Sequence, residues 1–185
     1  SLDICKALGG CSPEVPNCSA GQFTESFFNN TVLAGNPSAI RCVNDINYEW
    51  PESPTNGIGS DNFSARWEGT IDFATGDYKF IATGDDGIRV WVADQLVIDE
   101  WRDQGPTSFT TNSIALSGDT NIKVEYYENG GGATARLEWV TCNGDFVQEF
   151  FNNMTLSGNP VATSCVDNIN IETNGSPASG VNSDN

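Results

Sequence analysis

The chain has 185 residues, with 25 acidic and 8 basic side chains, no histidine and a formal charge of -17. That charge excludes nucleic acid and an anionic membrane surface as partners, because both need clustered Lys and Arg. The missing histidine excludes His triads, His general bases and His metal sites, and no run approaches the roughly 18 apolar residues of a membrane span, so no membrane insertion is expected.

Residues 1–17 read as an irregular N-terminal extension. Ser1 is not an initiator Met and no charged, apolar leader follows it, so the chain is expected to be a processed product or a fragment. Six cysteines lie at positions 5, 11, 18, 42, 142 and 165, none in a C-x-x-C pair. An even count in an acidic Gly/Asn/Ser/Thr-rich chain points to disulfides in an oxidising, secreted or cell-surface compartment. Asn17, Asn29, Asn62, Asn153 and Asn174 each head an N-x-S/T tripeptide and are candidate N-glycosylation sites of a glycoprotein.

Residues 21–62 recur at 144–185. The two stretches align without a gap at an offset of 123, with 22 of 42 positions identical, sharing F-x-x-x-FFNN, L-x-GNP, CV, IN, SP and SDN. The second copy stops at Asn185, where its counterpart Asn62 runs on into FSARWEGTIDF. A third of a unit cannot bury a core alone. The tail is therefore expected to be cut from a longer tandem array, to add strands to its own domain, or to complete a neighbouring copy. A simple boundary of the sequence explains it equally well. Cys18 and Cys42 lie 24 residues apart and Cys142 and Cys165 lie 23 apart, flanking the same segment of each copy. The expected bridges are Cys18–Cys42 and Cys142–Cys165, which leaves Cys5–Cys11; a Cys18–Cys142 bridge joining the two ends of the first unit is the rival.

Residues 62–140 alternate with period 2. Phe63, Ala65 and Trp67 share one face, followed by Tyr78, Phe80 and Ala82, Ile88, Val90 and Val92, Ile122, Val124 and Tyr126, and Ala135, Leu137 and Trp139. Turn signals separate them at 75–77, 84–87, 94–95, 117–119 and 129–132. Strands at this spacing, with no helical period, predict an all-β antiparallel β-sandwich carrying a partial second copy at its C-terminus. The domains are then a disulfide-held extension at 1–17, the sandwich at 18–141, and the first strands of an incomplete repeat at 142–185.

The run NFSARWEGTIDFATGDYKFIATGDDGIRVWVADQLVIDEW, followed by IKVEYYENGGGATARLEW, resembles the PA14 (PA-fourteen) domain, named after a piece of anthrax protective antigen. FFNN, L-x-GNP and SPTNG…SDNFSARW fit its opening strands. The resemblance covers about 21–141, and 144–185 looks like the start of another copy. It implies a β-sandwich of lectin-like type, as found in adhesins, flocculins, bacterial surface proteins, glycosidases and toxins. Several members bind carbohydrate through Ca2+ held by two consecutive aspartates joined by a cis peptide. The resemblance places these at Asp85 and Asp86. It puts further oxygens on the 128–132 loop, with Asn129 as the side-chain candidate and Gly131 offering a carbonyl.

Calcium takes six to eight oxygens from carboxylates, carbonyls and waters. An ion left partly open would accept two vicinal sugar hydroxyls, and Trp101 would pack its ring on a sugar face. A G-D-D-G turn also exists without metal, and Trp101 equally suits a loop-anchoring role. Adjacent carboxylates cannot flank a substrate as glycoside hydrolysis requires, so no enzyme activity is expected. The functional expectation is a non-enzymatic extracellular surface or filament building block of tandem units. It would continue or associate with other copies of itself through 142–185 and present a calcium-dependent carbohydrate site. The alternatives are a monomeric calcium-dependent glycan-binding adhesin module, or a carbohydrate-binding accessory domain of a larger glycosidase.

Overall fold

The structure, a computed structural model, describes residues 14–141, 146–156, 160–166, 168–169, 176–178 and 180–181. Cys5, Cys11, Cys142 and Asn174 lie outside the described residues. The described strands are β1 (Phe23–Phe28), β2 (Ala39–Val43), β3 (Ile46–Trp50), β4 (Phe63–Asp85), β5 (Gly87–Val92), β6 (Gln95–Glu100), β7 (Thr107–Thr110), β8 (Ile114–Glu128), β9 (Ala133–Thr141), β10 (Phe146–Phe150) and β11 (Ala162–Val166). No helix occurs among the described residues.

Every pairing is antiparallel, and the 23-residue β4 organises the fold. Its first half lies between β1 and β8, giving one layer in the order β2-β1-β4-β8-β5-β6. Its second half pairs with β9 and β7, and β3 completes that second layer on β9. A chain that serves both layers must bend. The bend sits where the ladder to β8 shifts register between Phe73 and Gly76, opposite Gly118, whose φ of +72° suits glycine. This corrects two expectations. Residues 75–77 and 117–119 carry turn chemistry, yet neither reverses the chain. They are paired irregularities at which β4 and β8 bend together, joined across the gap by the Thr75 and Ser117 hydroxyls at 2.8 Å. Residues 94–95 do form a hairpin turn, with Ala93 and Asp94 both at positive φ as a two-residue primed turn demands.

The alternation places Phe63, Ala65, Trp67, Phe80, Ala82, Ile88, Val90, Val124, Tyr126 and Ala135 between the layers, all essentially inaccessible. Aromatic rings fill the centre: Trp50 stands edge-on to Phe27 and Phe63, and lies 5.7 Å from Tyr126. Burial on this scale is the main source of stability. Two inward strand positions are charged, Glu128 at the end of β8 and Glu25 on β1. Glu25 sits between Phe23 and Phe27 with no exposure, accepts the Trp67 indole N–H at 2.9 Å, and pairs with Arg41 on β2. Its desolvation is offset by these donors and by the Tyr48 hydroxyl, which also bonds to it. A Cys18–Cys42 disulfide (Cα–Cα 5.4 Å) ties the chain entering β1 to β2, which leaves no Cys18 for the rival bridge. Cys165 is also disulfide-bonded, to a partner outside the described residues.

Hairpin β10–β11 copies β1–β2. The ladder Phe146↔Val166 to Phe150↔Ala162 is Phe23↔Val43 to Phe27↔Ala39 shifted by 123. The side-chain amide of Asn29 donates to the Gly57 carbonyl at 2.8 Å, and that of Asn152 to Gly180 at 2.9 Å. Ser53 and Ser176 make equivalent bonds to the carbonyls two and five residues on. Leu33 and Leu156 share a positive φ, as do Gly57 and Gly180. The environments differ: Phe23 and Ile46 are 1% exposed, while Phe146 and Ile169 are 45% and 75% exposed.

Candidate metal centre

The chain changes layers twice at one end of the sandwich. It leaves β4 at Asp85 in the β9 layer and enters β5 at Gly87 in the β8 layer. It crosses back through 129–132, from β8 to β9. The first crossing makes 84–87 a layer change rather than a hairpin, and it sets Asp85 and Asp86 beside the end of β8. There the inward set Ile122, Val124, Tyr126 extends by one more step of two to Glu128. Carboxylate oxygens of Asp85, Asp86 and Glu128 lie within 4.8 Å of one another. The Asp85–Asp86 peptide is cis.

Packing around the pair is tight. A Cβ at Gly87 would stand 2.1 Å from the Tyr127 ring, and one at Gly84 would stand 2.7 Å from Ile88. Asp86 Oδ1 accepts the Gln104 backbone N–H at 3.0 Å, and Oδ2 accepts that of Asn129 at 2.9 Å. The Tyr126 hydroxyl donates to the Asp85 carbonyl and lies 3.0 Å from Glu128 Oε2. Glu128 Oε1 makes no hydrogen bond of normal geometry, although the nearby Gly130 amide favours its charged form. Glu128 is wholly buried.

Three carboxylates so placed repel one another and are largely withdrawn from solvent. Burial first, then the Asp86 charge, pushes Asp85 up to about 6. Burial, with the Asp86 and Asp85 charges, pushes Glu128 up to about 7 against the opposing bond from Tyr126. Asp85 and Glu128 therefore hold protons to unusually high pH unless a cation neutralises the cluster. The donor set consists of hard carboxylate oxygens only, and the 129–132 loop lies alongside: the Asn129 N–H reaches Asp86 and a Cβ at Gly132 would stand 3.3 Å from Asp85 Oδ2. This set fits a hard divalent ion such as Ca2+ better than a soft metal.

The family model described as the PA14 domain matches residues 19–146. The chain belongs to the PA14 domain family. Anti-sigma-I factor RsgI3 of Acetivibrio thermocellus is 36% identical over 97 residues, which cover 51% of this chain and 15% of that protein. A solved anti-sigma factor domain-containing protein from Clostridium clariflavum is 31% identical with a TM-score of 0.60, covering 70% of this chain and 45% of its own. This PA14 chain thus spans less than half the length of those relatives. A PA14 sugar-binding domain from an RTX adhesin shares the fold, with a TM-score of 0.58 at 18% identity over 65% of this chain and 90% of its own.

Within the PA14 fold the expected site residues fall as follows. Asp85 and Asp86 lie together in the cluster. Asn129 is adjacent, but its side-chain amide donates to Asp103 Oδ2 at 3.0 Å. Gly131 is exposed at φ +115°, and its N–H points to Asp61 at 3.3 Å. Trp101 is half-buried: its ring meets Tyr127 edge-on at 4.7 Å, and the Arg89 guanidinium covers it at 3.9 Å. One face of the ring is therefore taken by the protein itself. Glu128 and Asp103 were not singled out by sequence, although Glu128 is where the period of β8 leads. Asn17, Asn29, Asn62 and Asn153 are not buried. The Asn29 amide is engaged by Ser38 and Gly57. Among the described residues no helix is long and apolar enough to cross a membrane.

Proposed function

We propose that the chain is a non-enzymatic, calcium-dependent carbohydrate-binding PA14 module of an extracellular surface protein. The observation that carries this reading is the convergence of Asp85, Asp86 and Glu128 where the two layer crossings meet. Their carboxylates would hold Ca2+, with carbonyls of the 129–132 loop completing part of its shell. Bound Ca2+ would supply an electrophilic site at which two vicinal sugar hydroxyls replace water. Asp103 fixes the Tyr127 ring through its hydroxyl at 2.7 Å, and so holds one wall of the site rigid. The RTX adhesin domain named as sugar-binding supports the reading through its shared fold. The anti-sigma relatives are consistent with such a module attached to larger chains of other function. Calcium titration by calorimetry, followed by glycan-array screening with and without EDTA, tests it. The expected result is one-to-one Ca2+ binding and sugar signals lost in EDTA and in D85N/D86N. Absence of Ca2+ binding by the folded protein would reject it.

A second reading, a tandem or self-associating fibre unit, is favoured by hairpin β10–β11. It repeats the β1–β2 register while Phe146 and Ile169 are exposed where their counterparts Phe23 and Ile46 are buried. Native particle mass with and without chelator tests this. Polymers that persist in EDTA support a joint through 142–185, and a monomer in both conditions removes it.

A further inference from the structure

The outer, water-facing side of the larger layer carries a cleft of about 530 Å³, far along β8 from the carboxylate cluster. Cross-strand register builds it. Glu68, Lys123 and Trp91 form one row across β4, β8 and β5, and Thr70 pairs with Asn121 in the next. The β5–β6 turn closes one end. Its Ala93 N–H bonds to the Asn121 carbonyl at 2.9 Å, and this sets Asp94 over the edge of β8. Tyr127, beside the carboxylates, pairs with Gly87, and Lys123 pairs with Trp91. The two places are thus four residues, or roughly 13 Å, apart along the strand.

Nothing in the core requires Trp91 here, since it lies on the solvent side of the sheet. Its ring is held by cations: Lys123 Nζ is 3.7 Å from the ring centre and the Arg89 guanidinium 5.5 Å. Glu125 anchors both, at 4.0 Å and 2.8 Å. The ring is therefore fixed before any ligand arrives. Around it, hydrogen-bonding capacity is unspent. Glu68 and Asp94 have no partner among the described residues, and the Trp91 indole N–H donates to none. The Asn121 amide oxygen accepts the Thr70 hydroxyl at 3.0 Å, which leaves its N–H groups free. Donors and acceptors interleave at the rim of a cleft with one aromatic wall. Hydroxyl groups, which both donate and accept, match such a rim. Two carboxylates against one ammonium exclude phosphate and sulfate groups.

We propose that this cleft, defined by Glu68, Trp91, Asp94, Asn121 and Lys123, is a second carbohydrate site that takes neutral pyranoses and needs no calcium. It stands apart from the calcium-site reading, and chelation separates the two. The test uses the full chain in excess EDTA with a panel of neutral disaccharides of glucose, galactose and mannose. Binding is read by saturation-transfer NMR and tryptophan fluorescence. At least one sugar should bind saturably, and D94N, E68Q and W91F should each weaken it at least tenfold. Asn tolerates the positive φ at 94, so D94N keeps the fold and isolates the contact even if W91F does not. Failure of every sugar to bind in EDTA, binding that appears only with calcium, or unchanged affinity in folded D94N would each overturn the proposal.

Discussion

Replacing Glu128 by Gln removes one charge from the cluster while keeping a polar group beside the Tyr126 hydroxyl. Glu128 titrates near 7 in the folded protein, against an ordinary value of 4.5. A carboxylate raised in the folded state binds its proton more tightly there than in the unfolded chain. Metal-free stability is then highest below the ordinary value and is lost as pH rises from about 4.5 towards 7. At one pK unit per 1.4 kcal/mol, a rise from 4.5 to about 7 means that the charge at 128 costs on the order of 3–4 kcal/mol above pH 7. In EDTA at pH 8, E128Q should therefore melt higher than wild type by roughly 5–10 °C. At pH 4.5 the two should nearly coincide, because the wild-type carboxyl is then protonated. Under the calcium-site proposal the order should reverse with calcium: wild type should gain stability through the linkage of binding to folding, while E128Q should bind at least tenfold more weakly and gain less. Thermal melts at both pH values, with EDTA and with calcium, give all four numbers. A variant less stable than wild type in EDTA at pH 8, or one with an undiminished calcium shift, would refute the reasoning.

Gly87→Ala forces a Cβ to within 2.1 Å of a Tyr127 ring pinned by Asp103 and Trp101. It should cost about 1–3 kcal/mol in urea unfolding and weaken calcium binding as well. Trp67→Phe strips the indole donor from the buried Glu25 carboxylate, with an expected loss of about 1–3 kcal/mol; wild-type stability by chemical denaturation would contradict that role. Removing the Cys18–Cys42 bridge by a double Ser substitution opens a 24-residue loop. It should lower stability by roughly 3 kcal/mol, measured by calorimetry at fixed pH.

The strand faces were readable because a half-buried strand must alternate, and Phe63, Trp67, Phe80, Val90 and Tyr126 do so. Asp85 and Asp86 were readable only through family likeness. The bends at 74–76 and 117–118 were misread because Gly, Thr and Asp have the same chemistry in a reverse turn and in a bulge. Whether the chain reverses depends on the partner strand, and residue 118 faces Phe73 across β4 and β8. Residues 84–87 were hard for the same reason, since nothing local says that the flanking strands belong to different layers. Glu128 stands at the head of the 128–132 loop by sequence, and only the inward period of β8, extended one step of two past Tyr126, puts it in the site. Glu25, flanked by Phe23 and Phe27, obeyed the inward pattern, but its charge hid it, and its partners Trp67 and Arg41 lie on other strands.

Glu25 has one more consequence. Two near-duplicate hairpins, β1–β2 and β10–β11, lie within one chain, a setting in which repeat proteins misassemble. The second copy carries Gln148 where the first has Glu25, and Ser164 where it has Arg41. A hairpin docked in the wrong place would therefore present a neutral amide to Trp67 and would lack the guanidinium across the ladder. Of the two look-alike hairpins, β1–β2 is the one that carries both the carboxylate the Trp67 indole donates to and the guanidinium across its own ladder.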